Sequence, residues 1–157
     1  MMTLAATLFL GATLTAIAVV DAREMRVPDI LSLPLIVAGL VYIAITAPGA
    51  LFWHAGGAVA GYLLIWGLAA AFLTLRGRDG VGMGDAKLLA AGGAWAGLLA
   101  LPAILLAASA AGLVWALALK ILTQWRSDRP LPFGPFLASA IFLIWLVGAP
   151  GAPPVWR

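Results

Sequence analysis

The sequence predicts an all-α polytopic membrane protein with six transmembrane helices and both termini on the non-cytoplasmic side. Three observations lead there. Hydrophobic residues make up 64% of the 157 and charged residues only 10%, against roughly 45–50% and 25% in soluble domains. Apolar stretches recur at lengths that suit a bilayer. The charges are confined to three short intervals. Fifteen charged side chains cannot cover a water-soluble globule, and a disordered chain needs low hydrophobicity.

A span takes about 20 apolar residues. Thr3–Val20 supplies the first, Ile30–Ala47 the second and Leu51–Leu75 the third, with His54 near its start. The next apolar stretch, Ala86–Leu122, runs for 37 residues. As one helix it measures about 55 Å, far beyond a hydrocarbon core of about 30 Å. Pro102 removes a backbone donor and restricts Leu101, so a reversal is expected near Ala100–Pro102. That gives a short span, Lys87–Leu101, and an ordinary one, Ala103–Leu122. Phe133–Gly148 is the sixth. Residues 1–157 read as a single transmembrane domain without a soluble insertion or a repeat. The first segment lacks a basic n-region and runs straight into a charged loop, so it reads as a span rather than a signal peptide.

Charge placement supports this count. The intervals Asp21–Asp29, Arg76–Lys87 and Lys120–Arg129 hold all six acids and eight of the nine bases. Six spans put all three on one side, and the retention of Lys and Arg in the cytoplasm makes that side cytoplasmic. A net charge of +3 held in short loops orients a membrane protein; nucleic acid is not an expected partner, and the lipid bilayer is. The pairs Gly57-x-x-x-Gly61 and Gly93-x-x-x-Gly97 suit close helix contacts in lipid.

No cysteine and a single histidine, His54, exclude disulfides, thiolate metal sites, a cysteine nucleophile and a His-rich metal centre. The hydrolytic chemistry that remains rests on carboxylates, hydroxyls, lysine and water. Glu24, Asp79 and Asp128 read as solvated loop acids, and Asp29, after Pro28, as the start and N-cap of the second helix. Asp21 and Asp85 stand apart. Asp21 follows the first apolar run, where an ionised carboxylate is costly. Asp85 closes Gly82-Met83-Gly84-Asp85 at the start of a short helix, near its positive dipole end. Glycines at 80, 82 and 84 permit positive φ and close approach of backbones. At about 22 Å the short span crosses poorly, so its start is expected to be recessed below the surface. Two carboxylates in a partly dry site share one proton. Such a pair can activate water as a base and protonate the carbonyl or the leaving amine as an acid.

Three segments carry a resemblance. Asp21-Ala22-Arg23-Glu24-Met25-Arg26-Val27-Pro28-Asp29 resembles the first aspartate motif of type IV prepilin peptidases. Gly82-Met83-Gly84-Asp85-Ala86-Lys87-Leu88 matches their GxGD motif with its following Lys and Leu. Leu131-Pro132-Phe133-Gly134-Pro135-Phe136-Leu137 resembles the Pro-Phe-Gly-Pro segment that opens their last helix. The three occur in family order and cover most of the chain.

The resemblance implies a membrane aspartic endopeptidase of the bacterial inner membrane. Its substrates are pilin or pseudopilin precursors of type IV pili and type II secretion, whose basic leader lies in the cytoplasm beside a single apolar helix. The catalytic residues carried over are Asp21 and Asp85, supported by Pro28, Gly82, Gly84 and Lys87. Lys87 tunes Asp85 or contacts lipid phosphate, the second being the expectation. Many members carry an additional cytoplasmic domain with two CxxC pairs and methylate the new N-terminus with S-adenosylmethionine. Without cysteine, this chain resembles the peptidase core alone. No cofactor is expected, and S-adenosylmethionine would be needed only if methylation is retained. Two other readings stay open: a non-enzymatic transporter or assembly subunit with loop carboxylates, and a presenilin-like intramembrane protease sharing GxGD.

Overall fold

The computed structural model describes residues 1–77, 82–123 and 131–148. These form six helices and no strand: α1 (Met2–Glu24), α2 (Asp29–Thr46), α3 (Leu51–Arg76), α4 (Met83–Ala96), α5 (Leu101–Thr123) and α6 (Gly134–Val147). Four segments are long and apolar enough to cross a membrane, namely Met2–Glu24, Asp29–Thr46, Pro48–Leu75 and Leu98–Leu122; α6 is apolar but shorter. Asp79 and Asp128 lie outside the described residues, as do Arg78, Arg126, Arg129 and Arg157.

Helix α1 continues one turn past its apolar run, because Ala22, Arg23 and Glu24 favour helix. It ends at Met25, which takes the left-handed conformation at φ 54°. Asp21 is therefore inside the last turn and not beyond the helix. It extends the buried stripe Leu10, Leu14 and Ile17, at spacings of four, three and four, which a helix brings to one face.

Helix α4 is the central element. Ala86 and every residue from Leu88 to Trp95 are buried, as expected of a helix surrounded on all sides. Its small residues let α3 lie against it. A methyl group on Gly61 would fall 2.8 Å from the Leu89 carbonyl oxygen, and one on Gly93 would collide with the Gly57 carbonyl. Gly57 with Gly93 and Gly61 with Leu89 run in opposite order, so the two helices are antiparallel. Both glycine pairs named from the sequence serve this approach.

The break after α4 falls earlier than Ala100–Pro102. Gly97 stops the helix at φ 86°, a 3-10 turn covers Leu98–Ala100, and α5 begins at Leu101. Pro102 sits in the first turn of α5, where its missing N–H would have had no partner anyway. His54 closes the corner. Its Nδ1–H donates to the Ala94 carbonyl at 3.0 Å, satisfying one of the last oxygens of α4. Nearby, Trp95 stacks on Tyr42 and meets Trp145 edge-on, with ring centroids 5.8 and 5.3 Å apart. Its Nε1 donates to the Leu35 carbonyl at 2.8 Å.

The same pairings set the level of each helix. Extending the α3–α4 register, Met83 starts beside about residue 67, and α3 runs on for about nine residues, roughly 13 Å. Gly112 packs on Phe136, so α5 likewise passes the start of α6 by about nine residues. Both overhanging ends expose apolar side chains, Leu68, Leu73 and Leu75 on α3 and Leu117, Ile121 and Leu122 on α5, and each carries one base in its last turn, Arg76 and Lys120. The start of α4 is thus recessed, as its length suggests.

Candidate active site

The last turn of α1, the 25–28 connection and the first turns of α2, α4 and α6 meet at one end of the bundle. Three contacts fix them. The Gly134 N–H donates to Asp21 Oδ2 at 3.0 Å. A methyl group on Gly84 would fall 2.8 Å from Val27 Cβ. Lys87 Nζ pairs with Asp29 Oδ1 at 2.5 Å.

Asp21 is 5% exposed and rests against the opening of α6. A methyl group on Gly134 would lie 2.6 Å from its Oδ2, so only glycine lets the carboxylate reach that N–H. Pro135 in the first turn of α6 helps start the helix there. An acid at a helix N-terminus meets unpaired N–H groups and the positive end of the dipole.

Asp85 is the third residue of α4, after Gly82 at the N-cap and Gly84. It is partly buried, and its carboxyl is pushed up to about 6, by burial first and by the negative charge of Asp21 second. The two acids singled out in the sequence therefore act on one another electrostatically.

The supporting residues are placed differently from expectation in three respects. Neither Gly82, at φ −71°, nor helical Gly84 adopts a positive φ; Gly84 serves by its missing Cβ, which admits Val27. Lys87 is bound to Asp29 and not turned to lipid, because α2 and α4 start side by side. Pro28, extended at φ −73° and ψ 130°, is the N-cap of α2, and Asp29 is its first residue with no side-chain cap; its carboxylate goes to Lys87 instead. Glu24 is exposed and paired with Arg26, as a solvated loop acid should be.

The sequence motif that contains Gly134 assigns this glycine no role of its own. The signal was present: Gly-Pro opening an apolar run marks a helix start, and helix starts hold anions. What the sequence lacks is the pairing of residues 21 and 134 across 113 positions.

A family model described as "Type IV leader peptidase family" matches residues 8–117. Among curated relatives, the "Prepilin leader peptidase/N-methyltransferase" of Aeromonas salmonicida (strain A449) is 44% identical over 142 residues, 89% of this chain and 49% of that protein. The protein of the same description from Burkholderia pseudomallei (strain K96243) is 42% identical over 141 residues, 90% of this chain and 46% of its own. That of Pseudomonas aeruginosa is 39% identical over 138 residues, 84% of this chain and 46% of its own. The chain spans about half the length of the curated relatives it matches. No solved structure matches it.

Proposed function

The chain belongs to the type IV leader peptidase family, and from this we propose that it is an aspartic endopeptidase of the bacterial inner membrane. It removes the leader from type IV pilin-like or type II secretion pseudopilin precursors. The charged end of the bundle faces the cytoplasm, six helices cross or enter the bilayer, and both termini lie on the other side. Precursors present the leader at that face with their adjoining apolar helix in the bilayer.

Asp21 and Asp85 are the catalytic pair. The observation that carries this reading is the buried Asp21 carboxylate, tied to Gly134, acting on a raised Asp85. Asp21 Oδ2 is engaged as an acceptor, which leaves Oδ1 to take a proton from the attacking water. Asp85 holds the shared proton and delivers it to the carbonyl oxygen. As the gem-diol collapses, Asp21 passes the proton it took from water to the leaving amine and Asp85 recovers one from a hydroxyl, which restores the starting pair. The C–N bond breaks, water supplies the hydroxyl of the new carboxyl group, and no other reactant is consumed. Gly84 and Lys87, through Val27 and Asp29, hold the start of α4 at its working distance.

The test is cleavage of a purified leader-bearing precursor in lipid nanodiscs, with the product's new N-terminus read by mass spectrometry. Asp21→Asn and Asp85→Asn each abolish leader removal while inserting normally; Glu24→Gln and Asp128→Asn keep most activity. Full cleavage by both Asp variants rejects the mechanism. The same spectra report whether a methyl group is added.

A further inference from the structure

We propose that the groove between α1 and α6 seats the apolar helix of the precursor, side by side with the enzyme and within the bilayer. The proposal rests on the leader-peptidase reading above and adds where the substrate lies.

The groove encloses about 690 Å³ and follows α1 from Thr7 to Ala22, faced by Pro135, Ser139 and Phe142 of α6. Fifteen residues of helix rise about 22 Å, long enough to align four turns of a partner. Its walls include Gly11, Ala12, Ala18 and Ala138, small residues that let helices approach closely in lipid.

The groove's polar groups are already spent. Thr7, Thr15 and Ser139 donate their hydroxyls to the carbonyls of Thr3, Gly11 and Pro135, at 2.9, 2.7 and 2.7 Å. What remains is mostly apolar, with hydroxyl oxygens that can only accept. A polar peptide gains little there, whereas an apolar helix, its backbone satisfied internally, fits by packing.

Position selects the occupant. One end of the groove is built by Ala22 and Pro135, the residues that directly follow Asp21 and Gly134. A helix lying in it leads its end to the carboxylates. A second apolar groove, between α2 and α3, holds about 400 Å³ and is lined by Ile36, Val59 and Tyr62 among others. It includes neither aspartate nor a neighbour of one in sequence.

Two measurements test this. The first compares kcat/KM for a full precursor with kcat/KM for a soluble peptide spanning the same leader site but lacking the helix. Filling the groove by Ala12→Leu or Thr15→Leu lowers the precursor-to-peptide ratio about tenfold; Val37→Leu, exposed on α2 and outside the groove, leaves it at the unsubstituted value. The second exploits the absence of cysteine. Ala12→Cys forms a disulfide with a single cysteine placed in the precursor's apolar helix, and Val59→Cys does not. An unchanged ratio, or cross-linking at position 59 equal to or above that at 12, overturns the groove assignment, as it would if lipid chains alone occupy it. Cleavage of neither substrate by the unsubstituted protein overturns the leader-peptidase reading itself, and the proposal with it.

Discussion

The Gly134 N–H and the Asp21 carboxylate, 113 residues apart, are joined by a 3.0 Å hydrogen bond inside the bundle. Gly134→Ala should therefore strike the site more than the fold. The added methyl would lie 2.6 Å from Oδ2 and 2.8 Å from Cγ, forcing the carboxylate off its donor. Activity falls by about a hundredfold, as displacements of about 1 Å at reacting groups can produce. Helical content and membrane insertion persist. Leader cleavage beside circular dichroism checks it.

The raised Asp85 predicts a pH limb. Below about 6 the carboxyl holds its proton; above it the proton leaves. In the proposed mechanism the one-proton form of the pair is the active form, so kcat/KM for the free enzyme is expected to decline as pH rises through about 6. A pH–rate profile reads this directly.

The same group sets a stability trend. Its pKa in the folded protein lies above the ordinary 3.8. Below 3.8 both folded and unfolded states are protonated and burial carries no charge penalty. Between 3.8 and about 6 the folded state binds more protons, so stability declines as pH rises through that window. Asp85→Asn removes this group's share of the trend and is more stable at pH 7 by about 2–3 kcal/mol, while inactive. Thermal unfolding at pH 4 and pH 7 for both proteins tests the sign.

Gly56 and Gly57 are neighbours on α3 with opposite expectations. A methyl on Gly56 meets nothing within 4 Å, so Gly56→Ala gains up to about 1 kcal/mol from helix propensity. A methyl on Gly57 would be 2.8 Å from the Gly93 carbonyl oxygen and 2.7 Å from the Leu98 nitrogen. Because its neighbours there are backbone, Gly57→Ala costs at least about 1–3 kcal/mol and lowers the yield of folded protein. Thermal unfolding of the two variants separates them.

The Lys87–Asp29 pair is partly exposed, with side chains 25% and 58% accessible. Its contribution to stability is below about 1 kcal/mol. Its value is positional: Lys87→Met lowers kcat several-fold, and adding Asp29→Asn lowers it no further. A double-mutant cycle on kcat checks that coupling.

Much of this was legible in the sequence, and the limits follow from the chemistry. Apolar length located all six helices, because lipid admits few alternatives to a helix. The break before α5 falls a few residues earlier than the sequence suggests, because proline, the visible signal, is tolerated in a first helical turn, whereas Gly97 reads as a helix-contact residue paired with Gly93 rather than as a stop. Asp21 and Asp85 were legible through their position at the edges of apolar runs. The partner of Lys87 was not, since the parallel starts of α2 and α4 are a matter of tertiary packing. Nor was Gly134 as a donor, because a backbone N–H carries no sequence signature.

The overhang of α3 and α5 makes the carboxylate end of the bundle stepped rather than level: α1 stops at Glu24, three residues past Asp21, while the other two helices run on with exposed leucine and isoleucine together with Arg76 and Lys120. Under the proposed function, a client already dissolved in lipid meets the low side of that step, beside α1, without climbing over the high one.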